Sequence, residues 1–436
     1  MSASSDELRS RLQERAYEAI ENLLRQKAGR RDLSMSEMED LVGDLEIELR
    51  QSLLQEMVVD AQQTRPGLCE RCGGKLRYKG KKSRQVVTLR GEVKVERDYY
   101  QCQTCGKGHF PLDKQLGLKT TAYSRFIAEK MVWLSGMLPY EQCAAVFKEI
   151  GERFIPASSI WRQTQDYGER LQICVEQQRQ QVSVERIVLP DSRYDHDQRK
   201  AVSMDGGMVN IRGEGWRELK VGAVFDVETR LERNPQTRQL EEMAHGVNLH
   251  YTAVLGTKDA FTPALWALAV QHELPTAKER AVIGDGAAWI WNVAEDVCPD
   301  GRQIVDWFHA VQHLAQAAST LYPDEEDTKK CQQWLRTYKD HLYMGRIHKI
   351  IAVLHKRNLP QLALYFETHQ RRMQYLAFRE ERFPIGSGVI ESGVKQFKQR
   401  LTGPGMRWKA DNANRMLTIR AAVLSNDFHA LWRQAA

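Results

Sequence analysis

The stretch "VIGDGAAWIW", Val282 to Trp291, decides how the second half of this chain is read. Val282, Ile283 and Gly284 resemble the end of a buried strand, Asp285 follows at once, and Gly-Ala-Ala opens a helix. An aspartate at that junction is either a helix N-cap or a side chain kept at a sheet edge for chemistry. Similar strand-like runs flank it: "KAVSMD" (200–205), "ELKVGAVFDV" (218–227) and "HYTAVLG" (250–256) before "RAVIGD" (280–285), and "GRQIVD" (301–306) after it. Thr262 and Pro263 supply an N-cap and first-turn residue for a helix, "PALWALAVQHEL", between the third and fourth runs.

Three strands, a helix, then strand, helix, strand is the element order of an RNase H-like fold. Residues from about 307 to 380, rich in Leu, Gln and Arg, are too long for a loop and read as an all-helical insertion. Upstream, Pro139 and Pro156 each start a helix, "PYEQCAAVFKEI" and "PASSIWRQTQDYGERL", with "GERF" as the turn between them. The pair is either a helix-turn-helix, with Ser158, Ser159, Arg162 and Gln163 exposed on its reading helix, or plain helical packing. In the first 64 residues Val42, Leu45, Leu49, Leu53 and Met57 form one apolar stripe at helical spacing. It suits packing on the rest of the chain or on a second copy. The expected class is multi-domain α+β. Helices (1–64, possible oligomerisation), a four-cysteine zinc ribbon (65–118) and a helical DNA-binding block (119–190) precede an RNase H-like α/β catalytic domain with a helical insertion (191–436).

The ribbon rests on Cys69 and Cys72, then Cys102 and Cys105, two CxxC turns separated by 29 residues rich in β-formers. Each turn aims two sulfurs at one point, so four thiolates suit one tetrahedral, structural Zn²⁺ with no open position. A redox CxxC and a disulfide framework are the competing readings. Cys143, Cys174, Cys298 and Cys331 are scattered and read as packed residues.

Asp205 ends "KAVSMD" and Asp285 ends "RAVIGD"; neighbouring strands would bring both carboxylates to one edge. Glu391 lies in the helix-like "IGSGVIESGVKQFKQRL", on one face with Lys395 and Lys398. Three converging carboxylates suit hard divalent cations. Two Mg²⁺ or Mn²⁺ ions so held would serve in-line phosphodiester displacement. The plainer readings are a turn aspartate, a helix cap and a solvated Glu–Lys pair.

Three blocks, "SMDGGMVNIRGEGWRELKVGAVF", "VIGDGAAWIWNVAEDVCPDGRQIVDWFHAVQHL" and "IGSGVIESGVKQFKQRLTGPGMRW", resemble Kra-type bacterial insertion-sequence transposases, DDE enzymes with a cysteine-rich N-terminal region. The resemblance covers about residues 65 to 425. It implies Asp205, Asp285 and Glu391 as the catalytic, metal-binding triad, with spacings of 80 and 106 residues that leave room for the helical insertion. Asp306 and His309 in "VDWFHAVQHL" are similar to an acidic-or-cysteine, two residues, histidine signature, which implies a phosphate-binding or metal-bracing role for His309. Lys395, Lys398, Arg400, Arg407, Trp408 and Lys409 would line double-stranded DNA. The implied activity is cleavage and strand transfer at the ends of a mobile element, by a homo-oligomer on DNA. A structure-selective nuclease without strand transfer, and a non-catalytic zinc-dependent DNA-binding regulator, are the alternatives.

Composition agrees with a folded chain of several domains: 436 residues, 42% hydrophobic, 28% charged. The net charge of +6 is unevenly spread. Residues 1–64 hold 8 Lys/Arg against 14 Asp/Glu, 65–112 hold 12 against 4, and 386–436 hold 8 against 3. Two basic zones point to a polyanion. No run reaches the roughly 18 apolar residues of a membrane span, and the N-terminus lacks a signal-peptide layout. The expected location is cytoplasmic and nucleoid-associated.

Overall fold

The computed structural model describes residues 2–61, 66–118, 122–151, 153–184 and 198–435. The expected domain boundaries at 64/65, 118/119 and 190/191, and the turn through Glu152, lie outside the described residues. The chain forms two compact units, Met1–Met131 and Val132–Ala436.

In the first unit, α1 (Ser2–Lys27) and α2 (Met35–Asp60) run antiparallel, joined by Arg11–Asp60, Arg15–Glu56 and Asn22–Glu48 contacts. Ser34 and Glu37 start α2 with a reciprocal capping box. Its stripe is only partly covered: Leu45, Leu49 and Leu53 are half-buried, while Val42 and Met57 are exposed. Strands β1 (Leu76–Thr88), β2 (Gly91–Cys102) and β3 (Gly108–His109) form an antiparallel sheet in that order. Val86, Val93 and Val95 point inward to Leu112 of α3 (Pro111–Gln115), to Leu118, and to Leu54 and Val58 of α2. The unit boundary falls within α4 (Arg125–Ser135).

The second unit opens with α5 (Tyr140–Glu149) and α6 (Ala157–Val184), which follow Pro139 and Pro156 as expected. Helix α6 runs on past Leu171 within the expected helical block, and there Gln178 Nε2 donates to Gln434 Oε1 and Arg179 Nη2 to Thr252 Oγ1; earlier in the helix Tyr167 stacks on Trp432 at 4.3 Å and Gly168 admits Arg415 and Ile419 closely. Strands β4 (Arg199–Ile211), β5 (Gly215–Arg233), β6 (Leu240–Leu255), β7 (Glu279–Gly284) and β8 (Arg302–Val305) form one sheet, ordered β6-β5-β4-β7-β8. β5 is antiparallel to both neighbours, whereas β4, β7 and β8 are mutually parallel. All five expected strands are present. β4, however, runs six residues past Asp205, because "GGMVNI" continues the hairpin ladder as far as Ile211↔Gly215.

Between β6 and β7 lies α7 (Lys258–Gln271), and between β7 and β8 lies α8 (Ala288–Val297). Helix α7 begins at Thr257 rather than Thr262; Thr262 bonds back to Lys258 O inside the helix, and Pro263 sits within its second turn. A Cβ built at Gly222 would come within 2.6 Å of Leu265 and 2.9 Å of Phe261, so glycine lets α7 lie close on that face. Residues 307–380 are helical: α9 (Trp307–Leu321), α10 (Thr328–Tyr343), α11 (Ile347–Lys356), α12 (Pro360–His369) and α13 (Tyr375–Glu380). Then α14 (Gly388–Leu401) lies on the other face, with Val394 and Lys398 over Gly207 of β4. α15 (Ala410–Leu424) and α16 (Phe428–Ala435) complete a mixed, multi-domain α+β chain. No described helix is long and apolar enough to cross a membrane.

Candidate functional site

Parallel pairing of β4 with β7 ends at Ser203↔Ile283, so Asp205 and Asp285 stand opposite each other two positions further on. Pairing of β7 with β8 ends at Gly284↔Val305, which puts Asp306 beside Asp285. Three acids thus emerge where the parallel ladder stops. Glu391 sits in the first turn of α14, with Ser387 Oγ donating to its Oε1 at 3.2 Å and Lys395 Nζ 3.8 Å from its Oε2.

The electrostatics show that these groups share one neighbourhood. Burial raises the Asp205 carboxyl above the ordinary aspartate range. The charges of Asp285 and Glu391 raise it further, while the Gly206 N–H and His309 pull it down. Asp285 Oδ1 accepts the Ala287 N–H at 2.8 Å, but Ala287, not Asp285, occupies the N-cap position of α8. Close approach of α8 to the sheet comes from Gly284, whose absent Cβ would meet Ile290 at 2.8 Å; Ala288 is exposed.

Asp306 has a different job from the other acids. It is fully buried and accepts from His309 N at 2.8 Å, from His309 Nδ1 at 3.0 Å and from Ser387 N. With Nδ1 donating, the lone pair of His309 is on Nε2. One ligand atom each from Asp306, His309 and Glu391 lies within 4.8 Å of the others. Both Asp306 oxygens are already engaged by N–H donors, so Asp306 orients His309 and α14 rather than offering a free ligand.

The helical segment braces this edge, which the sequence did not disclose. Tyr365 Oη of α12 donates to Asp285 O at 3.3 Å, and His313 of α9 stacks on Tyr365 at 3.6 Å. Gly286 has φ +105, and a Cβ there would strike Tyr365 at 3.2 Å and His369 at 3.3 Å. Burial and the neighbouring Arg372 hold His369 down at about 4, so it is neutral near pH 7.

The expected DNA-facing residues divide. Lys395, Lys398, Arg407 and Lys409 are exposed, as are Ser158 and Arg162. Arg400 is not: it is 2% exposed and donates from Nε to Ser135 O at 2.6 Å. Trp408 is buried and donates to Leu401 O, while its own carbonyl accepts Arg212 N–H past the end of β4. Ser159 and Gln163 are buried too, because that face of α6 packs inward, so the four exposed positions expected for a reading helix reduce to two.

In the first unit, the four expected thiols converge. Cys69 Sγ is 3.7 Å from Cys105 Sγ and Cys72 Sγ is 3.5 Å from Cys102 Sγ. Tetrahedral zinc at a Zn–S distance of 2.3 Å needs sulfurs roughly 3.8 Å apart. Gly73 (φ +69) and Gly106 (φ +70) turn each knuckle, and a Cβ on Gly74 would lie 3.0 Å from Cys102 Sγ. N–H groups of Cys105 and Thr104 pull Cys102 down to about 6. His109, absent from the sequence-based set, places Nε2 3.3 Å from Cys69 Sγ. Cys143 and Cys298 are buried, and Cys174 and Cys331 half-buried.

No protein-family model matches the chain, and a search of curated proteins finds no match.

Proposed function

We propose that the chain is a DDE transposase: a zinc-ribbon unit that engages double-stranded DNA, followed by an RNase H-like unit that cuts and joins it. The observation that carries this reading is the placement of Asp205 and Asp285 side by side just past the end of parallel pairing, with Glu391 close enough for its charge to raise Asp205. Sheet order and strand directions, with α7 and α14 on opposite faces, support the RNase H-like assignment. The all-helical stretch after β8 fits the insertion of such enzymes.

The acidic edge fits hard divalent cations. Burial first, and the charges of Asp285 and Glu391 after it, raise Asp205, and the atoms of this edge are carboxylate oxygens with one imidazole nitrogen beside them. Asp205, Asp285 and Glu391 would hold Mg²⁺ or Mn²⁺, with His309 alongside. When bound, such ions activate an attacking water or 3′ hydroxyl and stabilise the leaving oxygen. The chain itself holds the acids in place through Tyr365 at Asp285, Ser387 at Glu391 and Asp306 at His309. Lys395 and Lys398, one and two turns beyond Glu391, would hold the phosphate backbone. The four thiolates fit a structural Zn²⁺, and the exposed Arg77, Lys79, Lys81 and Lys82 of β1 would meet DNA phosphates.

The deciding experiment supplies pre-cut DNA ends, a target duplex and Mg²⁺. Joined product is expected from the wild type and none from Asp285→Asn. Cleavage without joining would favour a nuclease, and full activity of Asp285→Asn would sink the triad.

A further inference from the structure

On the face of the sheet opposite Asp205, residues from distant parts of the second unit meet. His250 of β6 pairs with Val224, which pairs with Val202, so these side chains share the α7 face. His272 is the C-cap residue of α7, and Asp427 lies between α15 and α16. His250 Nδ1 is 2.9 Å from Asp427 Oδ2, and the two imidazole rings lie 3.5 Å apart. One ligand atom from each of the three lies within 4.8 Å of the others.

We infer that His250, His272 and Asp427 form a second metal site, which takes a first-row divalent ion of the zinc class and ties the C-terminal helix to the sheet. Two imidazoles and one carboxylate are the donor set such ions prefer, with solvent as the fourth ligand. The 2.9 Å gap between Nδ1 and the carboxylate oxygen is close to the spacing of two ligands on one ion. Both rings now lie nearly parallel, with planes 17° apart. Turning their lone pairs onto a common point takes rotation about χ2, a broad torsion in histidine.

The surroundings favour a cation there. His272 stands at the C-terminus of α7, where the helix dipole is negative. Two cations lie nearby: Lys200 is committed to Asp226 Oδ1 at 2.6 Å, and Arg179 is engaged by Thr252 Oγ1 at 3.3 Å and Glu176 at 3.6 Å. Entry is open, since an adjoining cavity of ≈ 250 Å³ is lined by Gln178, Arg179 and Thr252 as well as His272 and Asp427. The inference stands apart from the transposase reading.

The test is Co²⁺ loading of the full-length chain in excess Mg²⁺, so that Mg²⁺ fills the carboxylate edge. Two tightly bound equivalents are expected: one with the thiolate-to-cobalt charge-transfer band of the ribbon, and one with only weak visible bands. His250→Asn and His272→Phe, the latter keeping a stacking ring without nitrogen, should each lose the second equivalent and keep the first. Asp427→Asn, a near-isosteric change at a half-exposed position, should weaken the second by ~10-fold or more. A wild type that binds a single equivalent would overturn the site. So would retention of the second equivalent in all three variants, since that would locate it elsewhere.

Discussion

Asp205→Asn should make the protein more stable and inactive at once. Asp205 is half-buried beside Asp285 and Glu391, and its carboxyl is raised by burial first and by those two charges next. A carboxyl raised in the folded state contributes stability below its unfolded value of about 3.9, and loses it as pH rises through the folded value. At neutral pH the ionised group therefore opposes folding. With solvent screening at a half-open edge, relief of that strain amounts to about 1 kcal/mol, or a rise in Tm of roughly 1.5 °C for a unit of this size. Mg²⁺ reverses the order, because an ion at ~100 times its Kd stabilises the wild type by about 2.7 kcal/mol and should do little for the variant. Thermal melts in Mg²⁺-free buffer without chelator, which leaves any metal on the four thiols in place, and again in Mg²⁺, read both effects. Melts across pH 4–7 should show the wild type gaining on the variant as pH falls. Cleavage should drop by at least ~10²-fold, the scale of losing one charge-stabilising group. A variant that melts lower than the wild type without Mg²⁺, yet gains equally from it, would refute the reasoning.

Tyr365→Phe removes the hydroxyl on Asp285 O but keeps the ring against Gly286 and His313; kcat should fall ~10-fold with little change in DNA affinity, as single-turnover cleavage and equilibrium binding would show. Arg400→Ala should cost about 1–3 kcal/mol in denaturant unfolding by stranding Ser135 O, and should leave the salt dependence of DNA binding unchanged. Lys398→Ala should do the opposite, with no stability change and a salt slope reduced by about 1. If the four thiols hold a metal ion, Cys102→Ser should release it and unfold β1 and β2, measured by metal analysis and by hydrogen exchange confined to the first unit.

The strands, the thiol set and the placement of Asp205 and Asp285 past neighbouring strand ends were legible because each is written locally. Apolar runs end in acids, and CxxC repeats at a fixed interval. What escaped was decided by distant partners. Arg400 sits in a run of cations that reads as a solvated helix face, yet its guanidinium is drawn in by the Ser135 carbonyl, 265 positions away. Ser159 and Gln163 look free in "PASSIWRQTQ", yet packing of α6 within the second unit buries both. The strand run appeared to end at Asp205, but "GGMVNI" continues it because its ladder partner is the far arm of a hairpin. His250 and Asp427 are 177 positions apart, so no spacing rule could have joined them.

Position at a strand end does not by itself separate an acid that binds metal from one that holds the fold. Asp205, Asp285 and Asp306 follow the same logic, each beside or just past the point where parallel pairing stops. The count of N–H donors separates them. Asp306 takes three, from Ser387 and twice from His309, and is fully buried. Asp205 takes one from Gly206 and Asp285 one from Ala287, and in each the second oxygen has no donor among the described residues. A buried carboxylate with its lone pairs filled is a brace, and desolvating it costs little more. A half-buried carboxylate with an open oxygen, held beside like charges, carries a cost that a cation would remove. The same count applies to Asp427, whose Oδ2 meets His250 while the rest of the group faces solvent, and it marks that residue as a ligand in waiting rather than a brace.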